Sequence, residues 1–153
     1  MIGNLKDLVL GIVTSVYELI LNFYKFIPHN SKIHIKGFIY RCKFNFIGGG
    51  NSCLVVGKKA HMNKCDMLLG KSTNIQIGDS SRLMNVKFHI NAVHSTIRIG
   101  KNCILQDLEI WIEDNDNIVT IGDGTYIGGA HLAVTGNNKC VTIGESCLLS
   151  SGI

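Results

Sequence analysis

Residues 31–153 predict an all-β solenoid of parallel strands, with rungs of about 22 residues. Three observations carry this. First, Ile-Gly recurs at intervals of 22 as Ile77-Gly78, Ile99-Gly100, Ile121-Gly122 and Ile143-Gly144, and Val56-Gly57 stands 21 residues before the first of them. A fixed period of that size marks stacked repeats, each unable to bury its apolar face without its neighbours. Second, the rungs superpose into columns of one chemical character. Third, apolar and polar residues alternate over short segments, the period-2 mark of half-buried strands, and Gly- and Asn/Asp-rich steps separate those segments.

At the N-terminus, residues 2–27 are apolar apart from a stripe at Asn4, Asp7, Gly11, Thr14, Ser15, Glu18, Asn22 and Lys25. Its three- and four-residue steps predict an amphipathic helix over residues 1–30. The longest uncharged run, Leu8 to Tyr17, is too short to span a bilayer. The helix either lies on a membrane surface through residues 2–27 or packs across the base of the first rung. Pro28, the only proline, separates it from the repeats at 31–153.

Residues 31–54 read as a first, irregular rung. From Val56 onward the columns are explicit. Val56, Ile77, Ile99, Ile121 and Ile143 form one, and four residues on come the small residues Ala60, Ser81, Cys103, Thr125 and Cys147. Met62, Leu83, Leu105, Ile127 and Leu149 follow, then Val86, Leu108 and Ala130, and later Phe88, Ile110 and Leu132. Equivalent residues stack in register, so neighbouring strands are parallel. Between the inward places lie two outward columns. Lys87, Glu109 and His131 form one, which pairs Lys87 with Glu109 across strands. His89, Trp111 and Ala133 form the other.

Composition bounds the rest. The length allows one domain, and 46% hydrophobic against 17% charged residues suits a solenoid with an apolar leader. A net charge of +4 is too small to select a partner class, and no basic–aromatic interleaving points to nucleic acid. The six cysteines read as buried free thiols of a reducing compartment. Cys103 and Cys147 share a column two rungs apart, about 10 Å at a strand spacing near 4.8 Å, beyond bonding reach. His61 and Cys65 have no second pair to complete a metal site, so no metal is expected.

Each rung opens with an aliphatic residue, Gly, two variable residues, a small residue and one more. Examples are Val56-Gly57-Lys58-Lys59-Ala60-His61 and Ile121-Gly122-Asp123-Gly124-Thr125-Tyr126. This resembles the hexapeptide-repeat acyltransferases, which fold as a left-handed parallel β-helix. The run Ile121 to His131, followed by Ile143 to Ile153, looks most like the branch that acetylates bacterial capsular and exopolysaccharides. The resemblance is good over 55–153, loose over 31–54 and slight over 1–30. Three hexapeptides make an 18-residue rung in that family, so about four residues here are extra. They are expected at one corner, in Asn91–Thr96, Glu113–Ile118 and Thr135–Cys140.

The resemblance implies an acetyl-CoA-dependent O-acetyltransferase acting on a capsule, exopolysaccharide or lipopolysaccharide. Acetyl-CoA would be the donor, with most of its site outside this chain. It also implies a homotrimer in the cytoplasm, or peripheral at the inner face of a bacterial plasma membrane. The family's base is a His in an Asp-X-His segment a few residues beyond the Ser-Ser-Gly-Ile stretch. This chain stops at Ile153, so it is expected to be truncated and to lack the catalytic base. Independently, Ile143, Leu149 and Ile153 would present an open strand edge, which solenoids normally cap.

No catalytic residue is therefore assigned. Asn137, Asn138 and Lys139, with Asp114 and Asp116 one rung below, are candidate contacts to a saccharide acceptor, and are equally what a polar corner needs for its turn. Trp111, His89 and His131 are the candidate subunit interface, since a large outward aromatic suggests a covered contact; the alternative is a Trp covered by the corner loop. Two further readings are a leucine-rich-repeat binding solenoid and a non-catalytic structural remnant. Leu83-X-X-Val86-X-Phe88-X-X-Asn91 fits the leucine-rich pattern once, but Glu113 and Thr135 stand where Asn should recur. A right-handed β-helix of the glycan-lyase type would need a recurring Asp or Arg cluster on one face, and none is present.

Overall fold

The computed structural model describes residues 27, 28 and 30–150. The expected leader helix, apart from its last residues, lies outside them, as do His29 and Ile153. Coil 1 comprises β1 (Lys32–Ile35), β2 (Phe38–Tyr40) and β3 (Lys43–Phe46). Coil 2 has β4 (Cys53–Val56), β5 (His61–Asn63) and β6 (Asp66–Leu69). Coil 3 has β7 (Asn74–Ile77), β8 (Arg82–Met84) and β9 (Lys87–Ile90). Coil 4 has β10 (Thr96–Ile99), β11 (Ile104–Gln106) and β12 (Glu109–Ile112). Coil 5 has β13 (Ile118–Ile121), β14 (Tyr126–Gly128) and β15 (His131–Val134), and coil 6 contributes β16 (Cys140–Ile143) and β17 (Leu148–Leu149).

The first strands of the coils make one parallel sheet of six, the second strands another of six, and the third strands a sheet of five. The molecule is a three-sided parallel β-solenoid of the left-handed β-helix kind, and no helix occurs among the described residues. Pairing is in register throughout, as in Ile99 with Ile77 and Ile121, or Ile110 with Phe88 and Leu132. Three strands per repeat exclude the leucine-rich architecture, which carries one strand and a helical return.

The core is the set of columns expected from sequence. Val56, Met62, Ile77, Leu83, Phe88, Ile99, Leu105, Ile110 and Ile121 are all buried in a single stack. The ends are less covered: Ile33, Ile39, Phe44 and Phe46 at the base, and Val141, Ile143 and Leu149 at the top, are only half-buried.

The corners differ from expectation. The extra residues are not confined to one of them. The first corner, between the first and second sheets, holds four residues in Gly78–Ser81, and the third holds five in Asn91–Ser95, while the second holds only Asn85 and Val86. A left-handed residue recurs at each corner from coil to coil, joined at the third by Gly48 and Gly49 in coil 1 and Gly136 in coil 5. At the first corner these are Lys59, Ser80, Asn102, Gly124 and Ser146; at the second, Arg41, Lys64, Asn85, Asp107 and Gly129; at the third, Asn51, Ser72, His94, Asp116 and Asn138. Such a residue costs roughly 1 kcal/mol when it is not glycine. In return its N–H reaches the coil below, as Asn102 to the Asp79 carbonyl at 3.0 Å and Asp116 to that of Val93 at 3.0 Å.

The Ile-Gly glycines have another reason. They lie so close to the coil above that a Cβ on Gly122 would sit 2.6 Å from the Glu145 nitrogen, and one on Gly57 2.7 Å from that of Asp79. The columns stack because nothing projects there.

Candidate functional site

The five candidate acceptor contacts share one place, the third corner at coils 4 to 6. Three of the five, Asp114, Asp116 and Asn137, have a side-chain oxygen held by the solenoid itself. Asp114 Oδ2 accepts the Gly136 N–H at 2.6 Å. Asn137 Oδ1 accepts the Asn115 N–H at 2.8 Å, and Asn115 Oδ1 accepts that of Val93 at 2.8 Å. Asn117, 0% exposed, donates to the Asp114 carbonyl at 2.7 Å and accepts the Lys139 N–H at 2.7 Å. Each side chain thus caps a backbone group of an adjoining turn. Asp116 faces His94 at 3.5 Å. Asn138 and Lys139 are exposed, and their side chains make no hydrogen bond or ion pair among the described residues. Asn137 and Asp116 are exposed as well, each with one side-chain oxygen engaged.

Asn115 and Asn117, read from sequence with their neighbours as acceptor contacts or turn residues, carry the corner. The signal was the 22-residue step from Asn115 to Asn137. The step fails in the coils below, where Ser52 and Thr73 do the same work with hydroxyls: the Thr73 N–H donates to Ser52 Oγ at 3.3 Å, and both hydroxyls donate to the Gly70 carbonyl at 2.9 Å. Ser95, in the same buried column, has an unpartnered hydroxyl.

The three interface candidates also come together, on the outer face of the third sheet. The His89 and Trp111 rings stack with centroids 4.4 Å apart and planes 2° from parallel, and His131 meets Trp111 edge-on at 6.4 Å. The corner residue Glu113 accepts the indole N–H at 2.7 Å. Trp111 is therefore half-buried within its own chain, held by its coil neighbours and its corner. Beside it the expected Lys87–Glu109 ion pair is made, at 2.5 Å. Each partner shifts the other toward its charged form: Lys87 is raised and Glu109 lowered, chiefly by their shared hydrogen bond. Asn85, Asp107, Gly129 and His131 complete an open cleft of about 370 Å³ around that pair.

A second open groove, about 540 Å³, follows the glycine column of the first corner. Lys36, Lys58, Arg98 and Lys101 line it, with Asp79, Asp123 and Glu145. Two of these carboxylates are engaged with backbone: Asp79 accepts the Lys58 N–H at 2.7 Å and Asp123 the Lys101 N–H at 2.8 Å.

The cysteines are not uniformly buried, contrary to the sequence reading. Cys65 and Cys103 are, Cys42, Cys53 and Cys147 are half-buried, and Cys140 is exposed. Cys42 lies in the bottom coil, Cys140 and Cys147 in the top one, and Cys53 takes one of the less buried places that alternate along β4. Among the described residues no three His, Cys, Asp or Glu side chains gather as metal ligands. No family model, curated protein or solved structure matches the chain.

Proposed function

We propose that this chain forms the solenoid of an acetyl-CoA-dependent O-acetyltransferase that modifies a cell-surface saccharide: a capsule, exopolysaccharide or lipopolysaccharide. The observation that carries the reading is the first corner. Its aliphatic-Gly-X-X-small sequence recurs in five coils, in register, on a three-sided parallel solenoid of the left-handed kind. That conjunction of corner and fold is what the hexapeptide-repeat acyltransferases use.

The chemistry is transfer of an acetyl group to a hydroxyl. The acceptor oxygen attacks the thioester carbon, the carbon–sulfur bond breaks, and a histidine base takes the hydroxyl proton. No described histidine is given that role. Asn138 and Lys139 are the described residues most open to an acceptor. The glycine groove suits an extended, phosphorylated donor, because Lys36, Lys58, Arg98 and Lys101 line it and its two lower carboxylates already accept backbone N–H groups. The His89–Trp111–His131 face is the proposed contact of a homotrimer. Residues 2–27 are proposed to hold the protein at the cytoplasmic face of the plasma membrane.

The test is genetic and chemical. Deleting the gene in its source cell is expected to remove O-acetyl signals from the purified surface polysaccharide in proton NMR, and reintroducing it to restore them. An unchanged O-acetyl content rejects the reading. A non-catalytic binding or structural role is the second reading, favoured by one observation: at the third corner most polar side chains are bonded within the solenoid.

A further inference from the structure

The second corner stacks two cysteines that the acetyltransferase reading does not use. Tyr40 pairs with Asn63 and Lys43 with Asp66, so Cys42 of coil 1 lies directly below Cys65 of coil 2. Both backbones are locked, with the Lys43 N–H on the Cys65 carbonyl at 2.8 Å and the Lys64 N–H on that of Tyr40 at 3.0 Å. Each sulfur sits against the carbonyl two residues back, at 3.5 Å for Cys42 and 3.6 Å for Cys65, so the two side chains adopt the same orientation. The Cys65 thiol also reaches the Leu83 carbonyl of the coil above, at 3.7 Å. Adjacent strands lie about 4.8 Å apart, inside the Cα window of roughly 4.4–6.8 Å that a disulfide requires. Higher in the column stand Val86, Leu108 and Ala130, so the pair has no thiol competitor there.

The two sulfurs are not equivalent. Cys42, in coil 1, is half-buried, while Cys65 is 1% exposed. The neighbouring Cys65 thiol holds the Cys42 pKa down at about 7, against the cost of burial. Cys65 is pushed well above the ordinary thiol range, by the neighbouring Cys42 first and by burial second, and so keeps its proton. The accessible member is thus the nucleophile, and the enclosed one the reserve.

We propose that Cys42 and Cys65 form a peroxide-sensitive dithiol that closes reversibly into a disulfide between coils 1 and 2. The Cys42 thiolate attacks one oxygen of hydrogen peroxide or an organic hydroperoxide. A sulfur–oxygen bond forms, the oxygen–oxygen bond breaks, and hydroxide or alkoxide leaves, taking a proton from solvent to become water or an alcohol. Cys65 then attacks the Cys42 sulfenic sulfur. The sulfur–sulfur bond forms, and the hydroxyl leaves as water with the Cys65 proton. Two thiols supply the two electrons that the peroxide accepts. In-register parallel side chains place the Cβ atoms near the strand spacing, slightly beyond the usual disulfide range of about 3.5–4.5 Å. Closure draws the two coils together by a few tenths of an ångström, and mild strain of this kind makes a disulfide readily reducible.

The experiment treats the full chain with hydrogen peroxide and reads intact mass and a peptide map. The expected product has lost two hydrogens, carries a Cys42–Cys65 cross-linked peptide, and reverts with a thiol reductant. Dimedone, which traps sulfenic acids, should label Cys42 in Cys65→Ser and leave Cys65 unlabelled in Cys42→Ser. Oxygen addition without the cross-link, a cross-link through another cysteine, or dimedone on Cys65 overturns the proposal. If a serine variant fails to fold, the map of the unsubstituted chain still decides.

Discussion

The first and third corners both pass side-chain hydrogen bonds between coils, through Asp79, Ser81, Asp123 and Thr125 at the first, but only the first carries a glycine in every coil. At the first, the chain also turns on an absence: Gly57, Gly78, Gly100 and Gly122 leave no side chain between coils, so backbones approach closely. At the third, it turns on a presence: Asp114, Asn115, Asn117 and Asn137 hand hydrogen bonds from one coil to the next. An absence restricts residue type strictly, because only glycine lacks a Cβ. A presence is permissive, because hydroxyls and amides of different lengths can each reach a backbone N–H. The comparison predicts that the first corner is brittle and the third graded.

The largest effect is expected from Gly122→Ala. The added Cβ meets the Glu145 nitrogen at 2.6 Å and the Gly144 carbon at 2.6 Å, both backbone atoms that cannot swing away. Coil 6 must lift or slide against coil 5, at a cost of about 3 kcal/mol. Urea unfolding of the variant beside the parent measures it. A loss below about 1 kcal/mol, within the range of a tolerated core change, would mean that the glycine column is not held by steric exclusion.

Next comes Asn117→Ala. It removes an enclosed amide and leaves the Lys139 N–H and the Asp114 carbonyl without their partners. Orphaned groups of this kind cost about 2 kcal/mol. Amide exchange at Lys139 is the more telling readout, since faster exchange there with unchanged exchange in coil 3 would show that the ladder acts locally, as a solenoid's nearest-neighbour energetics require. Equal acceleration everywhere would contradict it.

The same contrast explains what could be read from sequence. The Ile-Gly columns, the inward apolar stack and the Lys87–Glu109 pair were legible, because each demands one residue type at one spacing. The third-corner ladder was not. Ser52, Thr73 and Asn117 do one job with three side chains, and Asn115 and Asn137 alone repeat a type. The left-handed positions were equally hidden, since Lys59, Ser80, Asn102, Gly124 and Ser146 share a backbone angle and no chemistry. The Cys42–Cys65 stack escaped for a different reason. It depends on the register of coil 1, whose first corner is Lys36-Gly37 in place of the four-residue Ile-Gly turn.

Gly124→Ala tests conformation without collision, two residues from Gly122. The φ of Gly124 is +68°, and an added Cβ would meet only Ser146 Oγ, at 3.4 Å. Four other side chains already occupy this column in left-handed geometry. The substitution should cost roughly 1 kcal/mol, well under its neighbour, and Gly124→Asn less still, because Asn tolerates that region. If the two alanine variants lose equal stability, glycine at Ile-Gly would be serving backbone freedom and not close approach.

The smallest effect belongs to Ser95, the one step where the hydroxyl ladder breaks. Its neighbours in the column bond to the chain, but the Ser95 hydroxyl is enclosed and unpartnered. A buried hydroxyl without a partner destabilises the fold by its lost hydration, so removing it returns that cost, less the packing of one oxygen. Ser95→Ala should therefore lie within about 0.5 kcal/mol of the parent or above it. Thr73→Val, which removes a hydroxyl that donates to the Gly70 carbonyl at 2.9 Å, should lie clearly below. A destabilised Ser95→Ala would mean that an ordered water completes the ladder there, and the third corner would then be continuous from coil 1 to coil 6.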